Sequence, residues 1–198
     1  MRFASLALAA LATGCAGGSN PYLPARPPED LRASLVRVAP AAGLSAIERA
    51  PATPGRIRLE PNPALVDGDT AAPAGVDLGA AAAASRDRGL RDVGVELPEG
   101  APADLLRIWV DRPVPAELRA ELQWGVLSSA DGERWSPVAA REPVRWDGFE
   151  NRFDLAIERT TARYLKAVAH PLPAAVAKDP AVAELQVTEI GVYRADRW

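Results

Sequence analysis

The feature that most constrains this chain is a period of two. From residue 56 onward, short apolar runs alternate with polar residues and are cut by turn formers. Ile57 and Leu59 alternate with Arg56, Arg58 and Glu60, and Val93, Val95 and Leu97 alternate with Asp92, Gly94 and Glu96. Ile108 and Val110 fall on one face, with Arg107, Trp109 and Asp111 on the other. Similar runs cover residues 122–128, 153–157, 163–169 and 185–193. In an extended chain successive side chains point to opposite faces, so each run reads as a half-buried strand. Pro98-Glu99-Gly100, Asp131-Gly132, Asp147-Gly148 and residues 171–173 separate the runs. Short strands at regular spacing with such turns predict an all-β fold, an antiparallel sandwich or barrel. Residues 80–85, 115–121 and 174–183 are the exceptions, each sufficient for one or two helical turns. With 48% hydrophobic residues the chain has material for one core despite its 19 prolines.

The first residues have another texture. Arg2 precedes an apolar stretch, Phe3 to Ala12, which is too short for a membrane-spanning helix but suits a secretory signal. Leu11-Ala12-Thr13-Gly14-Cys15 resembles a lipobox, although Ala12 occupies the place where Leu is usual. Cys15 is the sole cysteine, so no disulfide forms within the chain, and its expected role is lipidation. Several acyl chains on one cysteine make anchoring stable, at about 0.8 kcal/mol per buried CH₂. Loss of Arg2 with the signal leaves 22 basic against 26 acidic residues. Such a weakly acidic chain has no electrostatic footprint for nucleic acid. Ala16 follows the cysteine, and the lack of Asp there, by resemblance to Gram-negative lipoproteins, favours the outer membrane. Residues 16–30 carry four prolines between Pro21 and Pro28 and read as a tether. Leu31 to Val38 is either a strand or a pair of helical turns. The expected organisation is a signal peptide over 1–14, a lipidated cysteine and tether with a short ordered segment over 15–54, and a β-sandwich over 55–198.

Four segments in order then resemble discoidin domains, also called coagulation-factor type C domains, across about residues 56–198. Residues 64–70 resemble the early Asp-Gly turn of that family. Residues 127–136 resemble its central hairpin, in which Ser precedes an Asp-Gly turn and a Trp opens the next strand. Residues 162–168 and 187–193 resemble an inner strand and the closing strand. The resemblance implies an antiparallel jelly-roll β-sandwich of galactose-binding-like type. It also implies recognition of sugars, lipid head groups or proteins through loops at one end. A structural Ca²⁺ near the Asp-Gly turn occurs in some members. The matching positions here are Asp67, Asp69, Thr70 and Glu189, an oxygen-only set suited to Ca²⁺. Ala72 stands where the family usually has Thr, so residues 67–70 are either a metal loop or a self-bonded turn.

Catalytic chemistry finds little support. The one histidine, His170, lacks a glycine-flanked nucleophile to serve, and a zinc site needs more His or Cys. No GxGxxG or Walker loop is present. The expectation is a non-enzyme. For binding, the stretch 145–152 mixes Trp, Phe, Arg, Asp and Asn between two strands. Arg145, Trp146, Phe149 and Asn151 are the candidate ligand-binding residues, because aromatic faces stack on sugar C–H surfaces while amides and charges bond hydroxyls. The competing reading has Trp146 and Phe149 plugging the end of the sandwich. Trp109, Trp124, Trp135 and Tyr164 read as core, and Trp198 as either a docked lid or an exposed contact. The leading expectation is a lipid-anchored envelope protein that binds glycan. The alternatives are an adaptor that docks an envelope protein, or a hydrolase with two facing carboxylates in a deep cleft.

Overall fold

The structure is a computed structural model and describes residues 35–46, 59–79, 91–170 and 172–195. The expected signal peptide, Cys15, the tether, the alanine-rich turn at 80–85 and Trp198 lie outside the described residues.

The described chain is two antiparallel sheets enclosing one core. Its strands are β1 (Leu35–Val38), β2 (Ala42–Ala46), β3 (Leu59–Pro61), β4 (Val76–Asp77), β5 (Asp92–Glu96) and β6 (Ala103–Val110). After a short helix, α1 (Ala116–Arg119), come β7 (Trp124–Ser129), β8 (Ser136–Val138), β9 (Arg145–Asp147), β10 (Arg152–Thr160), β11 (Tyr164–Ala169) and β12 (Gln186–Ala195). Sheet A runs β1-β12-β6-β10-β9, with β4 also on β12, and sheet B runs β3-β2-β5-β11-β7-β8. From β5 to β7, and again from β10 to β12, the chain crosses between sheets at each step, as in the expected jelly roll. The inward faces follow from the alternation in the sequence. Val93, Val95, Leu106, Ile108, Leu165, Ala167, Ile190 and Val192 all point inward at 0% exposure. Each fully buried Val, Leu or Ile contributes roughly 1.5–3 kcal/mol relative to exposure.

The structure settles one open segment and moves one boundary. Residues 35–38 form a strand, paired with β12 from Leu35↔Ala195 to Val38↔Val192. β2 is inserted between β3 and β5. The sandwich therefore begins by Leu35, ahead of the expected boundary at 55. Proline density in 39–54 hid β2.

Three aromatics expected in the core lie elsewhere. Trp109 is 7% exposed but faces outward from sheet A, over Gly191, where an added Cβ would meet its ring at 3.0 Å. Trp135 lies on the outer face of sheet B, 4.6 Å from the Lys166 ammonium. Tyr164 faces the same side, its ring 3.7 Å from the Cβ position of Gly132. Trp124 does pack inward, 5.7 Å from Phe153. Burial alone is not a marker of the inter-sheet layer, because loops and charged side chains cover the outer faces too. The central hairpin pairs last at Ser128↔Ser136, so its Asp-Gly turn sits within a longer loop. Gly132 takes φ +75°, and Asp131 Oδ1 accepts the Glu133 and Arg134 N–H groups, both at 2.9 Å.

Candidate functional site

At one end of sheet A, Val110 closes β6 opposite Val187 near the start of β12, and its N–H donates to the O of Asn151, which immediately precedes β10, at 2.9 Å. The Asp67–Ala74 segment joins them through Ala74 N–H to Val187 O, also 2.9 Å. The turn between β9 and β10 is shaped by Asp147, whose Oδ1 accepts the Phe149 and Glu150 N–H groups at 3.0 and 3.3 Å. Asn151 completes that turn at φ +50°, a conformation Asn tolerates better than most residues. The turn leaves Phe149 81% exposed.

An open cleft of about 420 Å³ lies at this end, lined by Thr70, Trp109, Asp111, Phe149, Glu150 and Asn151 among others. A second hollow, about 240 Å³, lies on the outer face of sheet A. Arg145 and Trp146 line this second hollow, together with Arg107, Arg141, Arg152 and Asp154. The four predicted ligand residues are thus divided, Phe149 and Asn151 at the loop end and Arg145 and Trp146 on the sheet face. Arg152 stands between them, 7% exposed, bonded to Asp154 at 2.8 Å, to Asp147 at 3.0 Å and to Glu150. Its guanidinium also lies 5.6 Å from the Trp109 ring centre.

Trp146 is half-buried, edge-on to Phe153 at 4.8 Å and beneath Arg119 at 5.4 Å. It packs against the core cluster, so the plugging alternative describes most of its ring. Phe149 does the opposite and stands in solvent. Both lie within five residues, and only strand register separates them: Trp146 opposes the inward Phe153 across β9 and β10.

The predicted metal residues come together in part. Glu189, 1% exposed, sits under the 67–70 turn and accepts the Gly68 N–H at 3.2 Å through Oε2. Its Oε1 accepts Arg37 Nη2 at 2.6 Å. Burial raises the Glu189 carboxyl above its ordinary range, against the lowering effects of Gly68 and Arg37. Asp67 Oδ1 accepts the Asp69 N–H, and Asp69 Oδ1 accepts those of Ala71 and Ala72, which hold Asp69 below its ordinary range. Thr70 contributes its carbonyl to the Thr188 hydroxyl at 2.9 Å. Calcium takes six to eight oxygen ligands. Here both Glu189 oxygens face N–H donors, and a guanidinium supplies the positive charge. The arrangement fits a self-bonded turn clamped by Arg37 rather than calcium. Among the described residues no three His, Cys, Asp or Glu side chains gather to hold a metal.

His170 is exposed at the end of β11, where its carbonyl accepts Arg91 Nη1 at 3.1 Å. Sequence reasoning missed Trp109, Asp111, Arg107 and Arg141 as lining residues. The outward face shared by Arg107, Trp109 and Asp111 was legible from alternation, but not that it overlooks either hollow. Arg141 carries no sequence signal. No described helix is long and apolar enough to cross a membrane.

No known family profile and no curated protein matches the chain. Solved structures do. A carbohydrate-binding module from Clostridium perfringens in complex with GlcNAc-α-1,4-galactose is 13% identical with a TM-score of 0.42, over 81% of this chain and 94% of that one. The C-terminal domain of a chitobiase from Bacteroides fragilis is 11% identical with a TM-score of 0.42, over 82% and 100%. A second C. perfringens module, in complex with GalNAc-β-1,3-galactose, is 17% identical with a TM-score of 0.34. That match covers 52% of this chain and 65% of the module.

Proposed function

We propose that this chain is a lipid-anchored, non-catalytic protein of the cell envelope that binds glycan at the loop end of its sandwich. The observation that carries the reading is Phe149, 81% exposed at the mouth of a cleft whose other walls include Trp109, Asp111, Glu150 and Asn151. A phenyl ring standing in water gains free energy when a ligand covers it. Carboxylates and an amide beside the ring match a sugar, which offers an apolar C–H face edged by hydroxyls. The discoidin-like segments of the sequence point to loop-end binding of the same kind. A protein-docking surface would expose a contiguous apolar patch. Among the described residues the large exposed hydrophobics are Val144 and Phe149. Cys15 carries the lipid in this reading, and the outer membrane is its destination.

The test is binding of the full chain, in mild detergent, to a panel of neutral bacterial envelope polysaccharides. Saturable binding that is lost in a folded Phe149→Ala variant supports the assignment. Absence of binding by the folded wild type, or binding unchanged in Phe149→Ala, refutes it. For the anchor, incorporation of labelled palmitate should vanish in Cys15→Ala, with the protein leaving the membrane fraction.

A further inference from the structure

The hollow on the outer face of sheet A shares no lining residue with the loop-end cleft. Its charges are unevenly committed. Asp154 is held by Arg152 at 2.8 Å and faces Arg107 at 3.4 Å. Asp147 is held by Arg152 and by its own turn. Asp104 receives two bonds from Arg159, at 2.8 and 2.7 Å, and one from the Ala195 N–H. Arg141 and Arg145 line the same hollow. No ion pair within 4 Å ties either to an acid among the described residues, although the Arg141 charge helps to hold the Asp104 carboxyl below its ordinary range. The remaining acid is Glu142, exposed on the rim.

Both uncommitted arginines spring from fixed backbone. The Arg141 N–H donates to Ala156 O at 2.9 Å, and the Glu158 N–H returns a bond to Ala139 O at the same distance. Arg145 is the β9 residue paired with Asp154. Their backbones are therefore tied to β10, which fixes the points from which the two side chains reach into the hollow. Leu105, Pro143 and Ala156 give the hollow apolar surface between the charges.

We propose that this hollow is a second binding site, one that selects the carboxylate of an acidic sugar residue. Guanidinium forks match a planar carboxylate with two parallel bonds, a geometry unavailable to a neutral hydroxyl. The apolar surface takes the C–H face of the ring. Asp154 and Asp147 retain lone pairs for sugar hydroxyls. The volume, about 240 Å³, suits a single monosaccharide unit rather than a larger ligand. The site is independent of the loop-end reading.

The probes are short alginate oligomers, whose units are uronates, and the same oligomers with their carboxyls methyl-esterified. The full chain should bind the acid form at least about tenfold more tightly than the ester, the weight of one charge-assisted bond. The double variant Arg141→Gln, Arg145→Gln should lose a further tenfold or more while melting like wild type. Added salt should weaken binding of the acid form. Arg134→Gln, which removes an exposed arginine on the β7–β8 hairpin, should change nothing. The proposal is overturned if acid and ester bind alike or not at all, if the double variant binds as wild type, or if inorganic phosphate displaces the oligomers at equal concentration. None of these outcomes bears on the loop-end cleft, which is read with neutral polysaccharides and Phe149→Ala.

Discussion

Lys166→Met removes the ammonium that balances Asp92 on the outer face of sheet B. The two side chains are 6% and 2% exposed, with Nζ to Oδ2 at 2.7 Å and the Trp135 ring 4.6 Å from the ammonium. Asp92 Oδ1 is buried and accepts no hydrogen bond among the described residues. Methionine keeps the apolar stem, so the variant isolates the charge. Stranding one member of a buried pair costs about 3–5 kcal/mol, a large share of a typical total of roughly 5–15 kcal/mol. For a domain of this size that is a fall in Tm of about 6–20 °C. Burial raises the Asp92 carboxyl, and Lys166 works against that rise. Without Lys166 only the raising cause remains, so the folded state binds the Asp92 proton more tightly than the unfolded state does. The Asp92 contribution to the variant's stability is then fully present below the ordinary carboxylate range, near pH 4, and is lost as pH rises through the folded value. Urea unfolding of the full chain, followed by tryptophan fluorescence, should show a larger deficit at pH 7.5 than at pH 4.5. The further replacement Asp92→Leu should recover most of the loss. A deficit below about 1 kcal/mol at pH 7.5, or one that does not change with pH, would refute the account, since stranded buried charge predicts neither.

Gly191→Ala should displace the Trp109 ring, because the new Cβ would stand 2.9 Å from Tyr193 and 3.0 Å from Trp109. A stability loss of roughly 1–3 kcal/mol by urea titration is expected, together with weaker glycan binding at the loop end. Trp146→Ala should cost about 3–5 kcal/mol from its lost packing on Phe153, a core-like deficit that distinguishes it from Phe149→Ala, which should unfold within about 0.5 kcal/mol of wild type. Calcium and EDTA should leave the melting temperature unchanged, whereas Arg37→Ala should lower it. A calcium-dependent rise in the wild type would mean that a metal, not the guanidinium, neutralises Glu189.

Strand positions were the most readable part of this chain. Val93 and Val95, or Ile108 and Val110, alternate with polar residues because a strand sends neighbours to opposite faces, and inward burial followed from parity alone. The Asp-Gly turns at 131 and 147 were likewise legible, since local hydrogen bonds form wherever those residues stand. The site was legible only as a stretch. The run from Arg145 to Arg152 holds both the exposed Phe149 and the packed Trp146, and nothing in its composition tells them apart. Register against β10 decides that, turning Trp146 toward Phe153 and carrying Phe149 out on the turn. Arg37 meets Glu189, and Lys166 meets Asp92, across separations of 152 and 74 residues. Charge neutralisation at such distances depends on which strands become neighbours. That choice belongs to the packing of the two sheets as a whole, and local pattern carries no record of it.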